Sequence, residues 1–561
     1  MVAGAVVAAL GTIYGQQEES LDRQVDVTRD YRPTVESATK LTMQPNMTDT
    51  VQLRPDFEYV VKPMPINHGF GVTALSPVSV NAATYEPLYP FYLKVGGGFP
   101  GQSLADLYYN STGKGSGSVG FYINHDGHYN KIKNDLGYKS KATRTENSVG
   151  LNGKVRLGRA VSLSGELGFD YDMFSRYGQF DYGYRAALPQ AKVVTQKFMT
   201  PRAEIRVGSD FIDLSRLNFA VTAGGYYFKD DFSTAETGVR FGLDFAKMFG
   251  NNKVSLSAGY DGSYGNDHMD DAKNHIFNIA PHWGFMSDKV QVGLGLNFVF
   301  DKDEEDNDIA VLPTFDLAFI SNPGIVPFIK IDGQVEKNSY RHLTSLNPYL
   351  NEQSPLADNT YRYDARIGIS GTVGNVFMYK VYGGAAYVKD FVNFANLWTM
   401  DNSSTFVTFR EKRVMEYMAG VDLEARMASS FSIMLGGRYV GYDTKTFDHA
   451  SGLPDYEVAF KLKWNHRDRF FATAGLDLIG DRWFMEYGIL QPTVDPEQTE
   501  SEMLFVKQKA VVDVNLALEY RLKKGLGIFA EAHNLAGSKL YRFNHYPEDG
   551  PEVNLGVKLL F

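Results

Sequence analysis

Along most of the chain, hydrophobic and polar residues alternate one by one. In Val161–Met173, one set of positions holds Val161, Leu163, Gly165, Leu167, Phe169, Tyr171 and Met173. The interleaved set holds Ser162, Ser164, Glu166, Gly168, Asp170 and Asp172. Successive side chains of a β-strand point to opposite faces, so this segment predicts a strand with one greasy face and one face carrying carboxylates. The pattern recurs. Val149, Leu151, Val155 and Leu157 alternate with Asn152, Lys154 and Arg156; Val239, Phe241, Leu243 and Phe245 alternate with Arg240, Gly242 and Asp244. Val290, Val292, Leu294, Leu296, Phe298 and Phe300 share a face, as do Tyr417, Ala419, Val421, Leu423 and Ala425, and Val512, Val514, Leu516, Leu518, Tyr520 and Leu522.

These runs are longer than strands of soluble sheets, which average about 5–6 residues, and match the 9–11 tilted residues a strand needs to cross a bilayer. Their number predicts an all-β fold, a large antiparallel transmembrane β-barrel of roughly 18–22 strands, even-numbered as bacterial outer-membrane barrels are. Connections differ in kind. Gly158-Arg159, Gly374-Asn375 and Lys523-Lys524-Gly525 are tight, whereas Asp301–Asp308, Asn338–Asn359 and Gln491–Met503 are long and polar. Short periplasmic turns and long external loops are the expected asymmetry, and closure follows because an open sheet edge in hydrocarbon strands its backbone polar groups.

The two ends of the chain read differently. Residues 2–15 are an apolar run ending in small residues, too short to span a bilayer, and residues 1–15 read as a signal peptide whose basic start is missing. Residues 16–90 carry Pro33, Pro45, Pro55, Pro63, Pro65 and Pro77 and predict an extended periplasmic or plug-like segment. Within it Val25, Val27, Tyr31 and Val35 form a candidate partner-binding arm. Residues 91–561 predict the barrel. Its last strand places Val553, Leu555, Val557, Leu559 and the terminal Phe561 on one face, the form of an assembly signal for the bacterial barrel-assembly machinery.

Composition sharpens this reading. The 561 residues are 14% aromatic, with 54 Gly, 34 Tyr and 38 Phe, while mean hydropathy is slightly polar. A barrel with an apolar lipid face and a polar lumen face reconciles the two. There is no Cys, which excludes disulfides, thiolate metal sites and a lipoprotein anchor. The formal charge of −10 argues against a nucleic-acid partner.

Candidate chemistry is sparse. His125, Asp126 and His128 could ligate a metal, but a polar hairpin end explains them better and no metal or cofactor is assigned. Asp301–Asp308 has oxygen ligands suited to Ca²⁺ yet lacks the turn Gly and closing Glu of an EF-hand loop, so it reads as a solvated acidic loop. His268–His275 reads the same way. Gly96-Gly97-Gly98 precedes a strand rather than a helix, so it marks close backbone approach, not a phosphate cradle. No nucleophile–base arrangement supports an enzyme.

The tail Leu516–Leu535, followed by Tyr541-Arg542-Phe543 and Tyr546-Pro547, resembles the C-terminal barrel end of TonB-dependent receptors. Val27–Leu41 and Glu86–Gly96 resemble Bacteroidota outer-membrane barrels described as TonB-dependent-receptor-like. The resemblance implies an outer-membrane barrel contacting lipid and lipopolysaccharide. Residues 16–90 are shorter than the plug of that family, and Val25-Asp26-Val27-Thr28 is a TonB-box-like string. The functions this leaves are a non-enzymatic structural subunit of an envelope complex, with protein partners in assembly or export, or a transport barrel; the alternative is a TonB-dependent receptor or porin for solute uptake.

Overall fold

A computed structural model describes residues 89–561, except 112–116, 159, 180–191, 268–271, 303–306, 352–353, 355–357, 375, 399–403, 428–429 and 490–500. The signal peptide and the arm at Val25, Val27, Tyr31 and Val35 therefore lie outside the described residues. The first half of the wall comprises β1 (Phe91–Phe99), β2 (Gln102–Asn110), β3 (Gly117–Lys133), β4 (Lys139–Arg156), β5 (Ser162–Arg176), β6 (Val194–Gly208), β7 (Asn218–Asp230), β8 (Thr234–Phe249), β9 (Asn252–Asp267), β10 (Lys273–Met286), β11 (Val290–Lys302), β12 (Asn307–Phe319) and β13 (Val326–Glu336). A helix, α1 (Tyr340–Leu346), precedes β14 (Thr360–Val373), β15 (Phe377–Trp398), β16 (Ser404–Met427), β17 (Phe431–Thr444), β18 (Tyr456–His466) and β19 (Phe470–Ile479). The chain ends with β20 (Arg482–Ile489), β21 (Ser501–Gln508), β22 (Val511–Lys523), β23 (Leu526–His533), β24 (Tyr541–Phe543), β25 (Tyr546–Pro547) and β26 (Glu552–Leu560).

Each wall strand pairs antiparallel with the next, and β26 returns to β1 from Tyr92↔Leu560 to Phe99↔Val553, which closes the sheet. The β20–β21 hairpin leaves the wall: β19 pairs directly with β22, while β20 lies parallel on β15. The result is a closed barrel of 22 strands, within the range the sequence predicts.

Alternation along the strands assigns the faces. Leu151, Leu167, Phe241, Leu294 and Leu555 are well exposed on the outside, where lipid covers them, although their neighbours in sequence face the lumen. Exposed aromatics gather near the strand ends, with Phe249, Trp283, Phe319, Phe377, Trp464 and Tyr520 towards one rim and Tyr129, Tyr227, Phe300 and Tyr439 towards the other. Such girdles mark the two membrane interfaces. Inside, ion pairs staple strands that are not neighbours. Lys94 of β1 meets Glu531 of β23 at 2.8 Å across β26, and Lys558 of β26 meets Glu519 of β22 at 2.9 Å across β23. Arg362 of β14 forms a two-pronged bond to Glu416 of β16, at 2.9 and 2.5 Å, across β15.

The barrel's ends are unlike. At one, β8 and β9 are joined through 250–251, β14 and β15 through 374–376, and β22 and β23 through 524–525. Gly374 turns with φ +59°, and at Gly525, φ +82°, an added Cβ would collide with the Leu560 carbonyl. Phe91 and Phe561 also meet here, with a 2.9 Å backbone hydrogen bond. Short turns and both barrel termini assign this rim to the periplasm. At the other rim lie the longer connections. β15 and β16 run for 22 and 24 residues, about twice what a crossing needs, so their hairpin projects beyond the bilayer on the outer side.

Outer connections fold into the mouth of the barrel. Ser339 caps α1 by accepting a hydrogen bond from His342 N–H at 3.2 Å, and Tyr340, Leu343 and Leu346, three apart, are buried on one side. Helix α1 stops at Asn347, whose N–H bonds the Leu343 carbonyl, and Pro348 follows. Tyr340 O–H donates to Asp230 at 2.9 Å, and its N–H donates to Glu236 at 2.6 Å, pinning α1 to the inside of β7 and β8. Beyond α1, Tyr349 stacks on Tyr546 from the 534–551 connection, ring centroids 3.7 Å apart, and Tyr177 abuts Tyr546 edge-on at 5.1 Å. Tyr546 O–H donates to the Ser404 carbonyl. With Phe198, Phe228, Phe394, Phe406 and Phe543 these residues form the main hydrophobic core among the described residues, a lid across the outer mouth rather than a core within the wall.

Candidate functional site

Beneath this lid lies a lumenal chamber of about 1090 Å³. Its wall is the inner face of β1–β7, β22, β23 and β26, and α1 with the 534–551 connection roofs it. Strand alternation makes it polar, since the residues between lipid-facing ones must face inward. Carboxylates dominate: Asp106, Asp126, Glu146, Asp170, Asp172, Asp513, Glu531, Glu548, Asp549 and Glu552, against Lys94, Arg144, Arg341 and Arg542. Lys94 is held by Glu531. Tyr92, Tyr108, Phe174, Phe198 and Tyr349 add aromatic faces. The chamber is therefore acidic with an aromatic ceiling, suited to a compact polar solute that is cationic or neutral.

The most concentrated chemistry lies where β2, β3 and β26 come together under the lid. His128 Nδ1 stands 3.4 Å from Asp549 Oδ2 and 3.4 Å from Glu552 Oε1. Gln102 Nε2 is also 3.4 Å from this nitrogen. On the other edge of the ring, Nε2 lies 3.2 Å from Asp126 Oδ1 and 3.1 Å from Arg144 Nη2. Asn130 donates to Asp549 at 2.7 Å.

A second set of contacts ties the outer connections together. His545 Nδ1 lies 2.8 Å from Asp135 Oδ2 and its Nε2 2.6 Å from Glu486 Oε1, linking the β3–β4 turn, the 534–551 connection and β20. Burial alone disfavours the charged imidazole, but the two carboxylates outweigh it and raise the His545 pKa. Burial would likewise raise Asp135, yet His545, Lys539 and Tyr541 hold it well below the usual carboxylate range.

The structure sorts the residues singled out in the sequence. Asp126 and His128 share the lumen face, but His125 points the other way and bonds Ser103 Oγ and Asn147 Oδ1, each at 2.6 Å. The three are not one cluster, because His125 and His128 are an odd number of residues apart on a strand. The partners His128 does meet, Asp549 and Glu552, carry no local signal; they sit more than four hundred residues away and arrive through barrel closure. Asp301 accepts hydrogen bonds from Asn359 at 2.8 Å and Tyr361 at 2.5 Å, and Asp308 pairs with Lys389 at 2.8 Å, so those acids tie β11 and β12 to the start of β14 and to β15. His275 bonds the Tyr260 hydroxyl at 2.9 Å, and His268 lies outside the described residues. Among the lumenal charges, Glu166 and Asp170 both meet Arg202, Lys154 meets Asp210 at 2.9 Å, and Arg156 is exposed near the periplasmic rim. Gly96 and Gly98 lie at the β1–β26 seam. A Cβ at Gly96 would stand 2.9 Å from the Phe529 ring, and one at Gly98 would collide with Asn554. The final-strand residues Val553, Leu555, Val557 and Phe561 are exposed on the lipid face, with Leu559 half-buried.

A closed 22-stranded sheet, apolar outside and charged inside, is a large outer-membrane β-barrel. Solved structures of that kind superpose on it. The FrpB iron transporter of Neisseria meningitidis matches with a TM-score of 0.65 at 8% identity, covering 85% of this chain and 82% of its own. The siderophore receptor PirA of Acinetobacter baumannii gives 0.61 at 8% identity, covering 84% and 80%, and P. aeruginosa FpvA bound to a pyoverdine–iron complex gives 0.61 at 10%, covering 84% and 72%. At these identities the likeness is one of fold. No family model matches the chain, and no curated protein matches it.

Proposed function

We propose that the protein is an uptake barrel that captures a compact polar solute in the acidic chamber and passes it across the outer membrane. The observation that carries this reading is the chamber itself, a cavity of about 1090 Å³ lined by charged side chains and roofed by folded-in outer connections. Such a roof admits solute by moving, unlike the open channel of a general porin. The structural neighbours are receptors and transporters, which supports uptake over the role of a structural subunit in an envelope complex. Coupling to TonB through residues 16–90 extends this reading. So does the assignment of Val553, Leu555, Val557, Leu559 and Phe561 as the signal read by the assembly machinery.

Planar-bilayer conductance tests the proposal. The wild-type barrel is expected to conduct poorly, and Tyr349→Ala, which removes the ring stacked under Tyr546, to increase conductance several-fold. Small organic cations are expected to block that current more strongly than anions of equal size. A barrel whose current is indifferent to both the lid substitution and the sign of the blocker would refute the reading.

A further inference from the structure

We propose that His128, Asp549 and Glu552, with Gln102, form a binding site for one divalent transition-metal ion, Zn²⁺ in particular, in the wall of the chamber. The proposal goes beyond the transport reading and does not depend on it.

Distances carry the argument. At 3.4 Å, His128 Nδ1 is too far from Asp549 Oδ2 and Glu552 Oε1 for a good hydrogen bond. The same spacing is the edge of a tetrahedron whose centre lies about 2.0–2.1 Å from each corner, the bond length zinc makes to imidazole nitrogen and carboxylate oxygen. All three ligand atoms fall within 4.8 Å of one another. The Gln102 amide stands 3.4 Å from Nδ1 and is at hand as a fourth ligand. It is placed with nitrogen towards the ring, but turning the amide over brings Oε1 to that point.

An unpartnered polar atom is the second observation. Glu552 is 6% exposed and its Oε1, which faces His128 Nδ1, accepts no hydrogen bond. A buried oxygen without a donor is unfavourable, and a cation at this point satisfies it. The far edge of the ring is also equipped. Asp126 Oδ1 stands 3.2 Å from Nε2, the position of the carboxylate that orients a metal-bound histidine. On binding, Nδ1 gives its lone pair to the metal and any proton it carries leaves to solvent. Nε2 keeps the ring's other proton and donates it to Asp126. Arg144, now 3.1 Å from Nε2, turns from the ring towards Glu146, whose Oε1 lies 4.0 Å from its Nε. Imidazole and carboxylate together favour Zn²⁺ over Ca²⁺ or Mg²⁺, which take oxygen ligands alone.

The experiment is equilibrium dialysis of the purified, tag-free full-length barrel in detergent against Zn²⁺, Ca²⁺ and Mg²⁺, with bound metal counted by mass spectrometry. Heat-modifiable migration on gels checks that each variant is folded. One Zn²⁺ per chain is expected for the wild type. His128→Ala should lose it, and Asp126→Asn, which leaves the ligands intact, should weaken it by about 10–100-fold. Co²⁺ in place of Zn²⁺ should give the intense visible bands of a tetrahedral site, absent in Glu552→Gln. If His128→Ala fails to fold, Asp126→Asn and the Co²⁺ spectrum still decide. Absence of bound Zn²⁺, binding unchanged in every folded variant, or preference for Ca²⁺ or Mg²⁺ at equal concentration would overturn the proposal.

Discussion

The two rims of the barrel are built on opposite principles. At the periplasmic rim most adjacent strands turn back within a few residues, with glycines in the left-handed conformation at Gly374 and Gly525. At the outer rim the connections leave the wall, cross the mouth and pack on one another. Tyr349 and Tyr546 stack although nearly two hundred residues separate them. The first rim is held by local geometry and the second by the main hydrophobic core, in which α1 and the 534–551 connection pack on inward-facing residues such as Phe198, Phe228 and Phe406. The largest core of the barrel thus forms where the chain leaves the wall, and that core is the part that can move without opening the wall.

The largest effect is expected from attacking that core. Tyr546→Ala deletes a fully buried ring and its bond to Ser404, and should cost the lid about 3–5 kcal/mol. Hydrogen exchange should then accelerate in 337–350 and 534–551 while the gel shift of the folded wall is unchanged. Loss of the gel shift together with the lid would mean that the rims are one cooperative unit and would erase the contrast.

A smaller effect is expected at the periplasmic rim. Gly374→Ala forces a Cβ into a left-handed conformation at a cost of about 1–2 kcal/mol, with open space around it. Its consequence should stay within the β14–β15 hairpin, read as faster exchange at 372–378 with none at the lid. Spread of the effect to the outer mouth would again break the comparison.

The mildest probe is pH. The His545 pKa is raised above its ordinary 6.5 by Asp135 and Glu486, which prevail over burial. A raised pKa gives stability that is complete below the unfolded value and lost as pH rises through the folded one. Asp135 is depressed below its ordinary 3.8, so its contribution is present above that value and lost as pH falls through the folded one. The latch is therefore tightest between about pH 4 and 6.5 and loosens as the medium becomes alkaline. Protection of 540–549, taken relative to the intrinsic base-catalysed exchange rate, should fall in the wild type as pH rises above about 6.5, and His545→Gln should flatten that dependence. A wild-type profile as flat as the variant's would remove His545 from the outer rim's fastening.

The same contrast explains what the sequence makes legible. Strand faces follow from period-two alternation, which is local, so Val161–Met173 and Val290–Phe300 show their lipid and lumen sides directly, and the strand count falls within the expected range. Asn338–Asn359 reads as a polar connection because α1 presents only Tyr340, Leu343 and Leu346 to a core made of distant residues. The chamber's His128 cluster is hidden for the same reason, since Asp549 and Glu552 reach it through closure. One misgrouping was avoidable: the alternation that defines β3 already puts His125 and His128 on opposite faces.

The seam between β1 and β26 sets a timetable for biogenesis. Every other wall pairing joins strands close in sequence and can form as the chain is delivered. The seam must wait for the last residues and for the whole wall between, because Phe99 finds Val553 only when the intervening strands exist. Glycines at Gly96 and Gly98 keep that edge of β1 narrow enough for a late arrival to dock. Until then the nascent sheet holds two raw edges that hydrocarbon will not tolerate, so a truncated chain, however correct its first strands, has no stable place in the membrane.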